Sequence, residues 1–142
     1  MGAVGYNGPW LFNNFTDPDD YTLKPNPNSW HQVANLMYVD QPSGVGFSTV
    51  DGFGYSTSGE VIGAQFYSFL LGFVDKYPQF KDRPLYFAGE SFAGHYIPDI
   101  TAYIVRHDGQ DEGINLQGAS IGNGFVDPYT QQLSNLDFLL IN

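Results

Sequence analysis

The residues best suited to chemistry surround Ser91. Residues 85–98 read Leu-Tyr-Phe-Ala-Gly-Glu-Ser-Phe-Ala-Gly-His-Tyr-Ile-Pro: an apolar run, a turn of small residues around a serine, and a helix-like stretch. A strand that bends sharply into a helix needs small side chains at the bend, and Gly89, Ala93 and Gly94 supply them. The pattern differs from Gly-x-Ser-x-Gly only in having Ala93 at the second glycine position. It predicts a nucleophile elbow that lifts the Ser91 hydroxyl above the end of the strand.

A serine at such a bend is suited to acyl transfer. The backbone N–H groups at the start of the following helix would point toward the space beside Ser91, where a negatively charged oxygen would form. The hydroxyl still needs a general base, because an unassisted serine is a poor nucleophile.

Composition narrows the classes of function. The 142 residues include 15 acidic and five basic residues, for a net charge of −10, which argues against nucleic acid or an anionic membrane as a partner. An aromatic content of 17% argues for a folded chain, and the length allows one domain with a core. The absence of cysteine excludes disulfides and thiolate metal sites within these residues.

Two segments bear on how the chain would be processed. Residues 1–12 lack the basic region and long apolar core of a secretory signal, so we expect any such signal to lie outside this chain. Asn14-Phe15-Thr16 is an N-glycosylation sequon, a pattern that is common by chance.

The elements that must position Ser91 alternate along the chain. Three apolar runs are typical of buried parallel strands, and the stretches between and after them have a helical period. This order predicts an α/β fold with a parallel βαβαβ core and right-handed crossovers. The elbow would lie at the carboxyl edge of the sheet, where doubly wound sheets place their chemistry. The predicted strands are 33–39, 85–88 and 114–121, and the predicted helices are 57–77, 92–106 and one starting at 130.

Local signals predict finer detail. Thr57 and Glu60 have the spacing of a capping box at the start of the first helix, and Pro78 would end that helix. Pro98 would cost the second helix one hydrogen bond and kink or restart it. Residues 24–28, which are rich in proline and asparagine, are expected to form only turns or extended loop.

Four blocks of the sequence resemble the serine carboxypeptidase family. Gly89–Pro98 is similar to the family signature Gly-Glu-Ser-Tyr-Ala-Gly-His-Tyr-Val-Pro. In the same order as in the family, residues 26–30 resemble its Asn-Pro-Tyr-Ser-Trp segment. Residues 34–48 resemble its Ala-Asn-Leu-Leu-Phe-Leu-Asp-Gln-Pro-Val-Gly-Val-Gly-Phe-Ser block. Residues 121–128 resemble its Ile-Gly-Asn-Gly-Leu-x-Asp-Pro segment. These blocks span nearly the whole chain.

The resemblance implies part of an α/β-hydrolase fold and a peptidase that removes C-terminal residues from peptides or proteins. It implies Ser91 as the nucleophile of an acyl-enzyme and the backbone N–H of Phe92 as one of two oxyanion donors. Glu90 would help to hold the terminal carboxylate of the substrate. Two adjacent carboxylates repel each other unless they share a proton, so the resemblance implies activity at acidic pH, in a vacuolar, lysosomal or secreted setting. No cofactor or metal is implied.

Some family features are missing. The family triad continues with aspartate and then histidine far downstream of the serine, and the residues after Ser91 resemble neither segment. The family's Gly-Gly-Pro-Gly-Cys-Ser-Ser turn is also missing, and Tyr6 replaces the glutamate of a Glu-Asn-Gly-Pro stretch that binds substrate. We therefore expect residues 1–142 to be the central part of a single catalytic domain, incomplete at both ends and inactive alone.

Other interpretations remain open. A serine carboxypeptidase-like acyltransferase would use the same scaffold and discharge the acyl group to an alcohol. A truncated, non-catalytic interaction protein would need no base at all. Relatives often form dimers, which leaves a homodimer of the full-length protein open.

The remaining polar candidates are assigned structural roles. His95 is four residues beyond Ser91, one helical turn along, so packing or hydrogen bonding is favoured over a role as base. Asp40 and Asp127 are expected to be turn residues, and Asn123 to tie loop backbone together near the site. His31 and His107 are expected to be solvated.

Overall fold

The computed structural model describes residues 2–12, 19–52 and 54–141. The chain divides into two compact units, one of residues 1–41 and 46–48 and the other of residues 42–45 and 49–142. The Asn14 sequon lies outside the described residues. No helix in the described ranges is long and apolar enough to cross a membrane.

The first unit is organised by polar side chains. Strands β1 (Trp10–Phe12) and β2 (Leu23–Pro25) pair antiparallel. The end of β2 lies in the stretch 24–28, where the sequence predicted only turns or extended loop. Buried Asn26 donates through Nδ2 to the carbonyls of Tyr6 and Gly8, and buried Ser29 donates through Oγ to the carbonyl of Asn7. These bonds satisfy the backbone of a segment too rich in proline to pair along its whole length.

The strand predicted at 33–39 was wrong. Residues 35–40 form neither helix nor strand, and Val33 and Ala34 both donate their N–H groups to the carbonyl of Trp30. The run therefore begins as the end of a 3-10 turn over Trp30–Gln32. Val33, Met37 and Tyr38 are exposed in the described structure. An apolar run becomes a strand only when a neighbouring strand accepts its hydrogen bonds, and composition alone does not supply that neighbour.

The second unit carries a parallel sheet and three helices. Strands β3 (Leu85–Glu90) and β4 (Leu116–Gly122) pair in parallel, with Glu90 opposite Gly122 at their carboxyl ends. Helix α1 (Gly59–Lys76) precedes β3, helix α2 (Ala93–Arg106) connects β3 to β4, and helix α3 (Pro128–Ile141) follows β4. The α/β prediction is confirmed, with a βαβ unit in place of the expected βαβαβ core.

The core of the second unit lies where α1 and α2 pack together against the sheet. The T-shaped contact between Phe66 and Phe87, with centroids 5.7 Å apart, joins α1 to β3. Six apolar side chains are at least nine-tenths buried: Phe66, Leu70, Ile97, Ile100, Ile104 and Ile114. Three of them lie at positions i, i+3 and i+7 of α2 and form its buried stripe.

Two helix starts differ from their predictions. Helix α1 is capped by Ser58, whose Oγ accepts a hydrogen bond from the N–H of Val61 at 3.3 Å. The predicted Thr57 cap is therefore wrong by one residue, and Glu60 falls one position too early to complete a capping box. Helix α3 begins at Pro128 instead of Thr130, because proline suits the first helical position and Asp127 caps the turn.

Pro98 does not divide the second helix. Helix α2 runs without interruption from Ala93 to Arg106 and contains Pro98, so the predicted restart did not occur. Proline removes the hydrogen bond to the carbonyl four residues earlier, which is that of Gly94. The buried apolar stripe on α2 offsets this single loss.

The start of α2 fits closely against the segment after β4. A Cβ atom at Gly94 would lie 2.7–2.8 Å from backbone atoms of Phe125, closer than real carbon contacts allow. A Cβ atom at Gly89 would likewise lie 2.5 Å from that of Ala93. Glycine at these positions therefore permits the bend between β3 and α2 and its contact with the Phe125 backbone.

This contact predicts that Gly94→Ala destabilises the protein. Alanine is normally the better helix former, but a methyl group at position 94 would displace the Phe125 backbone. The displacement should cost about 1–3 kcal/mol of folding free energy. We expect faster hydrogen exchange at the Phe125 amide. Gly72→Ala in α1 meets no atom within 4 Å and should stabilise its helix by about 0.5–1 kcal/mol. Equal Phe125 exchange in Gly94→Ala and the unmodified protein would contradict the close fit.

The stabilisation that Asp127 gives to the start of α3 should depend on pH. Asp127 accepts hydrogen bonds from the Thr130 hydroxyl and N–H, and these bonds lower the pKa of its carboxyl. Since the folded pKa is the lower one, the stabilisation is present above the ordinary aspartate pKa and is lost as pH falls through the lowered value. We expect Asp127→Ala to increase exchange at the Thr130 amide at neutral pH, and Asp127→Asn to retain the cap without the acid transition. An acid transition retained in Asp127→Asn would refute this assignment.

Candidate active site

The backbone at Ser91 adopts the left-handed conformation, with φ of 57°. For a residue with a side chain this conformation costs about 1–2 kcal/mol, so its surroundings must hold it. It reverses the chain between the last residue of β3 and the first residues of α2. The sharp bend predicted from the small residues is therefore present.

Three backbone hydrogen bonds hold Ser91 in place. Its N–H donates to the carbonyl of Gly122 at 3.0 Å, which continues the ladder between β3 and β4 by one residue. Its carbonyl accepts from the N–H of Gly94 at 3.0 Å and from the N–H of Phe125 at 2.9 Å. The first of these closes the turn into α2, and the second attaches the loop after β4. These bonds compensate for the unfavourable conformation.

The Ser91 side chain is available for chemistry. The residue is exposed, and its Oγ makes no hydrogen bond to any residue in the described ranges. Phe92 follows as the N-cap residue of α2 in a right-handed helical conformation. Within the same ranges its N–H has no backbone acceptor, and the positive end of the helix dipole lies at this terminus. A nucleophilic oxygen and a backbone donor therefore occupy adjacent residues.

Glu90 is the last residue of β3 and is exposed. Its register partner is Gly122, so its carboxylate belongs to the carboxyl edge of the sheet beside Ser91. The structure thus brings the three predicted site residues, Glu90, Ser91 and Phe92, together at one bend.

An aromatic cluster that the sequence analysis did not predict surrounds this bend. The Phe92 ring lies 4.8 Å from His95, 5.1 Å from Tyr96 and 6.4 Å from Phe125, measured between centroids. The His95 ring contacts Phe125 edge-on at 5.4 Å. The packing role expected for His95 is confirmed by these contacts. Phe125 could have been suspected from its place after Gly-Asn-Gly, but its contacts join residues distant in sequence.

The other histidines lie elsewhere. His107 follows the C-terminus of α2, which is 14 residues long, so about 20 Å of helix separates it from Ser91. Its exposed ring stacks on Tyr103 with centroids 3.9 Å apart, and its Nδ1 lies 2.8 Å from the Tyr103 carbonyl. His31 is exposed in the first unit. The expectation that both are solvated agrees with their exposure.

The predicted turn residues have mixed outcomes. Asp40 closes a loop of the first unit, since its Oδ2 accepts from the Phe47 N–H at 2.9 Å and its carbonyl accepts from the Ser48 hydroxyl. Asn123 has a left-handed backbone with φ of 45°, but its side chain makes no hydrogen bond in the described chain. The expectation that it ties the loop together was wrong; Gln131 on α3 does so. Tyr6 is exposed in the first unit.

Nothing in the described ranges suggests a metal centre. They contain no group of three or more histidine, aspartate or glutamate side chains that could hold an ion. The bend itself presents the Ser91 hydroxyl, the Glu90 carboxylate and backbone N–H groups.

The sequence is similar to those of known serine carboxypeptidases and related proteins. The chain is 50% identical over 132 residues to serine carboxypeptidase S10 family member 1 of Dictyostelium discoideum, covering 92% of this chain and 30% of that protein. It is 38% identical over 125 residues to the lysosomal protective protein of Mus musculus, covering 88% of this chain and 25% of that protein.

A solved structure is similar over nearly the whole chain. The crystal structure of Kex1(delta)p, a prohormone-processing carboxypeptidase from Saccharomyces cerevisiae, matches with a TM-score of 0.87 and 32% identity, covering 98% of this chain and 30% of that one. The chain therefore spans less than a third of the length of these relatives. The family model described as serine carboxypeptidase matches residues 1–141. The chain belongs to the serine carboxypeptidase family.

Proposed function

We propose that this chain supplies the nucleophile of a serine-type carboxypeptidase, which releases C-terminal residues from peptides or proteins. The observation that carries the proposal is the exposed Ser91 hydroxyl on a left-handed backbone at the carboxyl end of β3. A residue with a side chain is held in this conformation where the surrounding structure requires it, and such sites are often functional.

The reaction proceeds in two steps. Ser91 Oγ attacks the scissile carbonyl carbon while a base takes its proton, and the carbonyl oxygen becomes negatively charged. The Phe92 N–H donates to that oxygen, together with a second donor outside this chain. The protonated base gives its proton to the leaving nitrogen as the peptide bond breaks, which releases the C-terminal amino acid and leaves an acyl ester on Ser91. Water then hydrolyses the ester and restores the hydroxyl.

Glu90 provides selectivity for chain ends. Its exposed carboxylate, adjacent to Ser91, would share a proton with the terminal carboxylate of the substrate. Two negative charges at this distance repel each other, so binding requires the shared proton and weakens as pH rises. This supports an enzyme of acidic compartments, and the similar mouse protein is named lysosomal. We propose a lysosomal, vacuolar or secreted location.

We propose that the base comes from outside residues 1–142, as the family resemblance implies. His95 is engaged with two aromatic rings and His107 lies at the far end of α2. Without a base the serine loses about 10⁴- to 10⁶-fold in rate, so we propose that residues 1–142 alone are inactive.

The aromatic cluster should influence which substrate side chains are preferred next to the scissile bond. Phe92 and Phe125 both adjoin Ser91, one along the chain and one through its hydrogen bond to the Ser91 carbonyl. Their rings offer an apolar surface beside the scissile bond, which favours apolar substrate residues there.

The nucleophile is tested by covalent labelling. In the complete protein that contains these residues, a fluorophosphonate should label Ser91, and Ser91→Ala should abolish labelling and lower kcat by about 10⁴- to 10⁶-fold. Ser68→Ala, a matched change on α1 where the hydroxyl bonds only the Ala64 carbonyl, should leave both unchanged.

The isolated chain provides the complementary measurement. Residues 1–142 alone should neither react with the probe nor cleave a blocked dipeptide at acidic pH. Cleavage that disappears in Ser91→Ala would overturn the claim of inactivity. An unlabelled Ser91 in the active complete protein would overturn the nucleophile assignment and favour a non-catalytic role.

The proposed role of Glu90 makes a separate prediction. In the complete protein, Glu90→Gln should flatten the rise of KM with pH, because an amide donates to the substrate carboxylate without needing the shared proton. It should also reduce the preference for a free C-terminus over an amidated one. Glu112→Gln, remote from the bend, is the control. An unchanged KM profile in Glu90→Gln would assign carboxylate binding to other residues.

A further inference from the structure

The loop after β4 determines where the Ser91 backbone lies. The carbonyl of Gly122, the last residue of β4, accepts the Ser91 N–H, and Phe125 in the loop donates to the Ser91 carbonyl. The contact between the Phe125 backbone and Gly94 leaves no room for a Cβ atom. Closely packed interiors transmit displacements between atoms in contact. A shift of Phe125 would therefore move Ser91 or the start of α2.

The loop itself has no regular secondary structure between Asn123 and Asp127. Within the described residues, one side chain bonds three of its backbone groups. Gln131 in the first turns of α3 accepts through Oε1 from the N–H groups of Val126 at 2.9 Å and Asp127 at 3.0 Å. Its Nε2 donates to the carbonyl of Gly124 at 2.9 Å. These bonds attach to the residues on both sides of Phe125.

Glutamine is chemically suited to this position. The loop presents one carbonyl and two N–H groups, and an amide side chain offers both a donor and an oxygen with two acceptor sites. Leucine would leave all three loop groups without this partner. A glutamate would keep the two acceptor bonds but lose the donor.

From these contacts we infer that Gln131 is a positioning residue for the nucleophile. It fixes the loop on both sides of Phe125, and Phe125 in turn holds the Ser91 carbonyl and hence the direction of the hydroxyl. The inference rests on the proposed function, because it assigns Gln131 a role in the reaction at Ser91. It does not place Gln131 in contact with substrate.

The matched control is the next residue. Gln132 is exposed and bonds only the Asn135 side chain, so Gln132→Leu makes the same chemical change without touching the loop. Both variants are made in the complete protein. Active sites are counted by stoichiometric fluorophosphonate labelling, and kcat is expressed per labelled site with a peptide substrate.

We expect Gln131→Leu to lower kcat per labelled site by about 10- to 100-fold, the loss typical of a misplaced reacting group, with a smaller change in KM. Gln131→Glu should recover part of this loss, and Gln132→Leu should match the unmodified protein. The phosphonylation rate of Gln131→Leu should fall in parallel with kcat.

Counting the labelled active sites distinguishes a positioning role of Gln131 from a role in folding alone. A role in folding alone would reduce the number of labelled sites but leave kcat per site unchanged, and that result would overturn the inference. An unlabelled Ser91 in the unmodified protein would instead overturn the proposed function. Should Gln131→Leu yield no soluble protein, Gln131→Glu decides: unchanged kcat per site and unchanged exchange at the Phe125 amide would contradict the inference.

Discussion

The left-handed backbone at Ser91, held by its bonds to Gly122, Gly94 and Phe125, is the constraint on which the rest of the site depends. It lets a strand end and a helix begin within two residues. The unfavourable conformation persists because both strands of the sheet end at the same level and their following segments meet there. The contact between these segments determines the positions of the exposed Ser91 hydroxyl and the Phe92 N–H.

Around this bend, buried apolar residues of the second unit support the backbone, and exposed polar groups are available for chemistry. The buried face of α2, with Ile97, Ile100 and Ile104, anchors the helix, so its N-terminus has a defined position. The aromatic rings of Phe92, His95 and Phe125 pack together beside the bend, while Glu90 and Ser91 remain exposed. Apolar burial fixes the scaffold, and the polar groups left at its edge can serve a substrate.

Short-range rules predicted the parts of the structure that depend on neighbouring residues. The bend at Ser91, strand β3 and the packing of His95 follow from small residues, an apolar run and helical spacing. The strand expected at 33–39 failed because it needs a partner that its own composition does not specify. The cap at Ser58 differed by one residue, since Thr57 satisfies the same preference. Phe125 acts through a hydrogen bond to Ser91, far away in sequence, and its place after Gly-Asn-Gly does not reveal that partner. Gln131 bonds residues 124, 126 and 127, but no general turn or capping rule places a glutamine side chain there.

The geometry at Ser91 is measured most directly by a high-resolution crystal structure of the complete protein. We predict a positive φ at Ser91, both hydrogen bonds to its carbonyl from Gly94 and Phe125, and an exposed Oγ. A helical φ at Ser91 with its hydroxyl buried, or an uninterrupted element through residues 89–94, would contradict the proposed nucleophile elbow.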